Sequence, residues 1–213
     1  MAKQNNVKTK KDQGTQILDN GLVYEGDFKE GEWHGMGKLT HPDGFCYEGK
    51  FKNGVFHGSG SMILPDKGGY EGKFRDGLKH GKGIQISPDG DRYEGQFKND
   101  IQNGSGIYEW SNGRIYEGQF KDGMQHGKGK YTMPDGRYFE GEFKKGKMIK
   151  GVDIIFIMKD TGFYIGVVNE KLQFNGYGVL LAKDGEKYFG HFKKHLKHGE
   201  GVHIYPDGRV EAG

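Results

Sequence analysis

Tyr24 opens the word YEGDFKEGEWHGMG, and Tyr47, Tyr70, Tyr93, Tyr116 and Phe139 open nearly the same word, each 23 residues after the last. No other feature constrains the fold as much. A unit of this length cannot bury its own apolar side chains, so each copy must pack on its neighbours in a one-dimensional array. The shared pattern is Y-E-G-x-F-[KR]-x-G-x-x-H-G-x-G, then a short strand-like run, then in most copies P-D-G. It extends backwards, with Gly14 in the place of Gly37 and DNG at 19–21 in the place of PDG at 42–44. The fourth copy carries Asp100 for the loop glycine and Asn103 for the histidine. Two looser copies open at Tyr164 and Tyr188, and GVDIIFIMKD at 151–160 breaks the register before them. The expected organisation is a flexible Lys-rich tail at 1–13, six regular repeats at 14–150, and two degenerate repeats with a terminal half-repeat at 151–213.

Period-two alternation puts Tyr24, Gly26 and Phe28 on one face and Glu25, Asp27 and Lys29 on the other. EGEWHG reads as a loop, a second strand as running from Gly37 to about His41, and HPDGF as a reversal. Each repeat is thus one β-hairpin, because glycine at this density carries a large summed cost in a helix. About eight hairpins in series predict an all-β fold: an elongated, twisted, single-layer antiparallel sheet. Gly26 has no side chain between Tyr24 and Phe28, which leaves room for rings to lie flat on the sheet. Gly35 and Gly37 are expected to let the backbone turn and the next strand approach closely. Composition agrees. Forty glycines with five prolines fit neither collagen nor a Pro-rich linker, and 13% aromatics among only 33% hydrophobic residues point to a folded chain with a thin apolar layer.

The word YEGxFKxGxxHGxG followed by PDG, repeated in fixed register over about residues 14–213, resembles the MORN (membrane occupation and recognition nexus) repeat. The resemblance implies a curved, rod-like single sheet with an aromatic-lined groove. Similar arrays occur in junctional membrane proteins, in lipid kinases, ahead of a lysine methyltransferase domain, in ciliary radial-spoke heads and in apicomplexan cytoskeletal rings. It therefore implies a fold more narrowly than a job.

Candidate chemistry is sparse. His34, His57, His80, His126 and His198 share one repeat position, and equivalent positions lie ~10 Å apart across two strands, too far to converge on one zinc ion. GLKHGKG at 77–83 is one residue short of a phosphate loop, lacks its Ser or Thr, and precedes no helix. Cys46 is the only cysteine, which fits a reducing compartment, and MAKQNNVKTKKDQ lacks a signal peptide's apolar run. No metal, cofactor or enzymatic activity is expected, nor nucleic acid at a net charge of +3.

Contact surfaces remain. The expected protein-binding groove is the aromatic face: Tyr24, Phe28, Tyr47, Phe51, Tyr70, Phe74, Tyr93, Phe97, Tyr116, Phe120, Phe139 and Phe143. Such a groove suits an amphipathic helix or an extended segment of a partner. The polar face carries a ladder of Glu25, Glu48, Glu71, Glu94, Glu117 and Glu140 beside one of Lys29, Lys52, Arg75, Lys98, Lys121 and Lys144. With Lys3, Lys8, Lys10 and Lys11 of the tail, the basic ladder is the candidate contact for anionic lipid or an acidic partner. VDIIFIM at 152–158 is the most apolar run, residues 151–176 are either an adapted strand pair or an exposed edge where another subunit docks, and two open sheet edges leave room for end-to-end self-association. The leading expectation is a non-enzymatic protein–protein interaction scaffold in a cytoskeletal, ciliary or axonemal assembly, cytoplasmic in location. The alternative is a peripheral membrane adaptor that binds anionic phospholipids.

Overall fold

The computed structural model describes residues 12–149, 154–158, 161–169 and 171–213. The basic tail residues Lys3, Lys8, Lys10 and Lys11 lie outside them. Packing divides the chain into two units, one up to Ile101 and one from Gln102 onward. The described residues hold nineteen strands and no helix. In the first unit these are β1 (Asp12–Ile17), β2 (Val23–Lys29), β3 (Glu32–Thr40), β4 (Cys46–Lys52), β5 (Val55–Ile63), β6 (Gly69–Arg75), β7 (Leu78–Ile86) and β8 (Arg92–Lys98). The second unit takes β9 (Ile101–Glu109) from its second residue on, then β10 (Ile115–Lys121), β11 (Met124–Thr132), β12 (Tyr138–Lys144), β13 (Lys147–Met148) and β14 (Ile154–Met158). It ends with β15 (Gly162–Val168), β16 (Phe174–Ala182), β17 (Lys187–Lys193), β18 (Leu196–Ile204) and β19 (Val210–Ala212). Within each unit, neighbours along the chain pair antiparallel in a single open layer, except that the short β13 and then β14 both pair with β12.

Two kinds of turn alternate. Asn53 and Gly54 both have positive φ, 52° and 77°, as do Asp76 and Gly77, and Asp122 and Gly123. This is the two-residue type I′ reversal, whose twist matches that of the strands it joins. Asp100 takes the glycine position at φ 69°, and it grips Lys79 from both sides. Its amide donates to the Lys79 carbonyl at 2.9 Å, and its carboxylate accepts the Lys79 amide at 2.8 Å. The other turn has three residues, as at Pro42, Asp43 and Gly44, with Gly44 at φ 103° and the Asp43 carboxylate accepting the Phe45 amide at 2.9 Å.

The second strand is longer than the sequence suggests. Lys29 pairs directly with Glu32, so β3 begins inside the EGEWHG stretch read as a loop. The register places Gly26 opposite Gly37 but Phe28 opposite Trp33, so Asp27 faces a bulge formed by His34, Gly35 and Met36. Gly35 takes φ 67° there, and its equivalents Gly58, Gly81, Gly104 and Gly127 do the same. The two glycines of H-G-x-G therefore have separate tasks. Gly35 shapes the bulge, while Gly37 leaves space.

That space forms a row. Gly14, Gly26, Gly37, Gly49, Gly60, Gly72, Gly83 and Gly95 each lie opposite the next across β1 to β8. The Tyr24 ring lies across its own strand onto β3, and a Cβ on Gly37 would fall 2.5 Å from it. A Cβ on Gly26 would fall 2.5 Å from the Cα of Gly37. The phenylalanines then stand on edge between successive rings. Tyr47 meets Phe51 of its own repeat at 5.1 Å and Phe74 of the next at 5.2 Å, both nearly perpendicular. Edge-to-face pairs of this kind contribute about 0.5–1.5 kcal/mol beyond their burial. They continue from repeat to repeat and replace the second layer that a sheet ordinarily needs.

The described part of that run, IIFIM at 154–158, takes the strand alternative. β14 pairs with β12 through Phe139 and Phe156, and with β15 through Phe156 and Tyr164, so both its sides are occupied and it is not an open edge. Alternation puts Phe156 among the rings, stacked 6.1 Å from Phe139.

Gly60→Ala should cost about 3 kcal/mol or more by urea unfolding, because the new methyl runs into the Tyr47 hydroxyl and ring. Gly54→Ala, at φ 77° with nothing within 4 Å, should cost about 1 kcal/mol.

Candidate functional site: the aromatic face

Eleven of the twelve rings expected to line a groove are at most 5% exposed, and Phe28 is half-buried. They form the core of the layer, and other side chains lie over them. Trp33 stacks on Tyr24 at 4.7 Å with planes 9° apart, and Phe56 stacks on Tyr47 at 3.9 Å. The Lys79 ammonium stands 5.5 Å from the Tyr70 ring centre and 5.7 Å from that of Phe97. In the second unit Phe174 covers Tyr164 at 3.8 Å and Lys197 covers Tyr188 at 5.2 Å. These covering residues all occupy one repeat position, just before the histidine. It looked unremarkable in sequence because its residue type changes from copy to copy. It holds Trp33, Phe56, Lys79, Gln102, Gln125 and Met148 in successive regular copies, so the chemistry offered on this face changes stepwise along the array. Each cover is also tied to the next turn: Gly54 donates to the Trp33 carbonyl at 3.0 Å and Gly77 to the Phe56 carbonyl at 2.9 Å.

The tyrosine hydroxyls are engaged within the fold. Tyr24, Tyr47, Tyr70, Tyr93, Tyr116, Tyr164 and Tyr188 each donate to the carbonyl three residues onward, at 2.7–3.2 Å. The bulge frees that carbonyl from the ladder. Burial pushes the phenols of Tyr47, Tyr70, Tyr93 and Tyr116 up to about 12. Desolvation raises Tyr24 too, and the Asp27 carboxylate adds to it. Asp27 itself is buried and held by the Met36 amide at 3.1 Å and the Gln13 side chain at 3.3 Å.

Phe139 lacks the hydroxyl, and the surroundings change with it. The Glu142 carbonyl, in the position that elsewhere accepts from tyrosine, takes the Ile149 amide at 2.8 Å instead. Phe139 and Phe143 lie nearly parallel, 6.4 Å apart and 22° inclined, where other repeats cross at right angles. β13 holds only two residues, and a cleft of about 750 Å³ opens beside it. Tyr131, Phe139, Phe143, Met148, Val168 and Leu172 line it, with Arg114, Arg137 and Lys147 among its walls. Arg137 is held by Asp135 at 2.7 Å. Trp110, tilted 5.6 Å from Tyr131, extends the aromatic surface.

On the opposite face the Glu25, Glu48, Glu71, Glu94, Glu117 and Glu140 ladder is exposed. Lys38 lies between Glu25 and Glu48 in register, and Lys130 between Glu117 and Glu140. The ladder of Lys29, Lys52, Arg75, Lys98, Lys121 and Lys144 is exposed as well. At the turns, Lys52 pairs with Val55, Arg75 with Leu78 and Lys121 with Met124, each an exposed apolar residue. The repeated histidines lie within strands at the bulge, because the turn before them takes only two residues. His57 Nδ1 approaches the Asp76 carboxylate of the following turn at 3.7 Å. Among the described residues no group of three or more His, Cys, Asp or Glu side chains is placed to hold a metal.

Because these phenols resist ionisation when folded, and an unfolded phenol titrates near 10, stability should hold up to about pH 10 and fall as pH rises toward 12. Absorbance at the phenolate band should show the buried class ionising together with loss of circular dichroism. Tyr47→Phe should cost about 1–2 kcal/mol by removing the bond to the Lys50 carbonyl.

Among curated protein sequences, none matches this chain. Solved structures similar in part include the Drosophila melanogaster SAS-4 (dCPAP) TCP domain in complex with a proline-rich motif of Ana2 (dSTIL). It is 11% identical, with a TM-score of 0.41 over 94% of this chain and 88% of that one. A mutant TCP10 domain of Danio rerio CPAP gives 15% identity and a TM-score of 0.33 over 93% and 92%. Virginiamycin B lyase from Staphylococcus aureus gives 16% and 0.18 over 95% and 69%. Superpositions this loose carry no argument about function. The MORN repeat family profile matches seven segments, at 24–45, 47–69, 70–92, 93–113, 116–136, 139–148 and 188–208. With rings, glycine rows and bulges recurring in that register, the chain belongs to the MORN repeat family.

Proposed function

We propose that this protein is a non-enzymatic scaffold that holds a segment of a partner protein along its aromatic face, within a cytoskeletal or ciliary assembly. The observation that carries the reading is the cleft beside Phe139. There the aromatic face opens into an apolar recess with Arg114, Arg137 and Lys147 in its walls. A recess of this kind fits a partner segment with an apolar anchor flanked by carboxylates, in either a helix or an extended strand. The hydroxyls of the seven repeat-opening tyrosines are engaged internally, so these rings offer contact rather than a nucleophile. The cytoskeletal or ciliary setting follows from the assemblies in which similar arrays occur.

The buried rings are unsuited to testing this, since polar replacements would unfold the layer. Tyr131→Ala with Met133→Glu alters the half-buried wall instead. The tagged wild-type chain should recover a stoichiometric partner from its native extract, and the double variant should lose about tenfold or more of it. Recovery of no partner, or equal recovery by the variant, would overturn the assignment.

A second reading has its own support. Apolar Val55 and Leu78 stand exposed beside Lys52 and Arg75, an arrangement suited to an anionic lipid surface. A peripheral adaptor of this kind would sediment with phosphatidylserine vesicles at low salt and be released at high salt. It would also lose binding on Lys52→Glu with Arg75→Glu. No sedimentation at low salt removes this reading.

A further inference from the structure

In the six regular repeats the residue after the opening aromatic is glutamate, exposed on the face opposite the rings. In the two last repeats the same position holds Ile165 and Phe189. The register explains why this matters. Ile155 lies opposite Ile165, Ile165 opposite Val179, Val179 opposite Phe189 and Phe189 opposite Val202, an unbroken apolar row across five strands. The equivalent row in the first repeats reads Glu25, Lys38, Glu48. Two residues further along the strands a second row begins with Ile157, Phe163 and Leu181. Alternation puts both rows on the side away from Phe156, Tyr164 and Tyr188.

β14, β15 and β16 therefore carry apolar side chains on both faces, and Phe189 and Val202 extend the outer row onto β17 and β18 between Lys187 and His191. Strands of that kind belong to sheets covered on both sides, yet among the described residues only the ring face is covered. Ile155, Ile165, Tyr177 and Val202 are 42%, 39%, 59% and 38% exposed. With their half-buried neighbours they make a patch on the order of 500 Å², near the upper limit that monomers expose.

We infer that this patch is the interface of a homodimer in which the outer faces of β14 to β18 from two copies pack together. The area favours a second copy over a smaller ligand. Two such faces bury about 1,000 Å² in total, the threshold for a specific interface. The surface is a sheet face rather than a slot, and sheet faces pack well on one another at about 10 Å separation with their interdigitated side chains. A twofold axis supplies the matching surface from the same sequence. The interface is on the face opposite the proposed partner site and does not depend on it.

Ile165→Glu with Phe189→Glu tests this and restores the glutamate that six repeats already carry, so the fold has a precedent for both changes. Sedimentation velocity on the full chain at micromolar to tens of micromolar concentration should find a wild-type dimer. The double variant, with unchanged circular dichroism, should dissociate about tenfold or more readily, since each copy would bury two unpaired carboxylates. Should that variant fail to fold, Tyr177→Glu with Val202→Glu places charge at more exposed points of the same patch and should have the same effect. Trp33→Ala, on the ring face, should leave the dimer intact. A wild-type monomer throughout that range would overturn the inference and leave the patch to a different protein. A folded variant that dimerises as tightly as wild type would overturn it equally.

Discussion

The structure depends on a tyrosine ring laid across two glycines of adjacent strands. A single-layer sheet has no opposing layer to exclude water from its apolar side, so the side chains on the sheet must cover one another. A ring can lie flat only where nothing projects beneath it, and the Gly26–Gly37 and Gly49–Gly60 pairs supply that floor. The bulge at Gly35 or Gly58 turns a carbonyl toward the hydroxyl, so the same ring has its polar tip satisfied while buried. Phenylalanine on edge fills the gap to the next ring. Space, hydrogen bond and packing are then one device, repeated.

This device has consequences for function. It consumes the aromatic residues that looked like a binding surface and hands the surface to one covering position per repeat. That position moves from Trp33 through Phe56 to Lys79, so the array can present a graded pattern while its core stays constant. Where the device falters, at Phe139, the backbone compensates through Ile149 and a recess appears. A defect in the repeat thus becomes a feature of the surface.

Much of this was legible before any coordinates. The 23-residue period required an array, alternation separated rings from charges, and the glycine beside each tyrosine indicated room for a ring. Other parts were hidden for physical reasons. The bulge was missed because H-G-x-G looks like loop sequence, whereas positive φ at one glycine keeps it within a strand. The covering residues were missed because their identity changes while their position does not. Asp100 looked like a lost glycine, and only its two bonds to Lys79 show how a non-glycine holds φ 69° there.

By itself the sequence determined the unit, its hairpin form and the face each side chain takes, since these follow from spacing along one strand. The tertiary structure decided what stands beside what across strands. Register is set by turn length and bulge geometry, and a shift of one residue would reverse every face. Only that register aligns the glycines in a continuous row, and only it brings Ile155, Ile165, Val179, Phe189 and Val202 from five separate strands into one apolar surface.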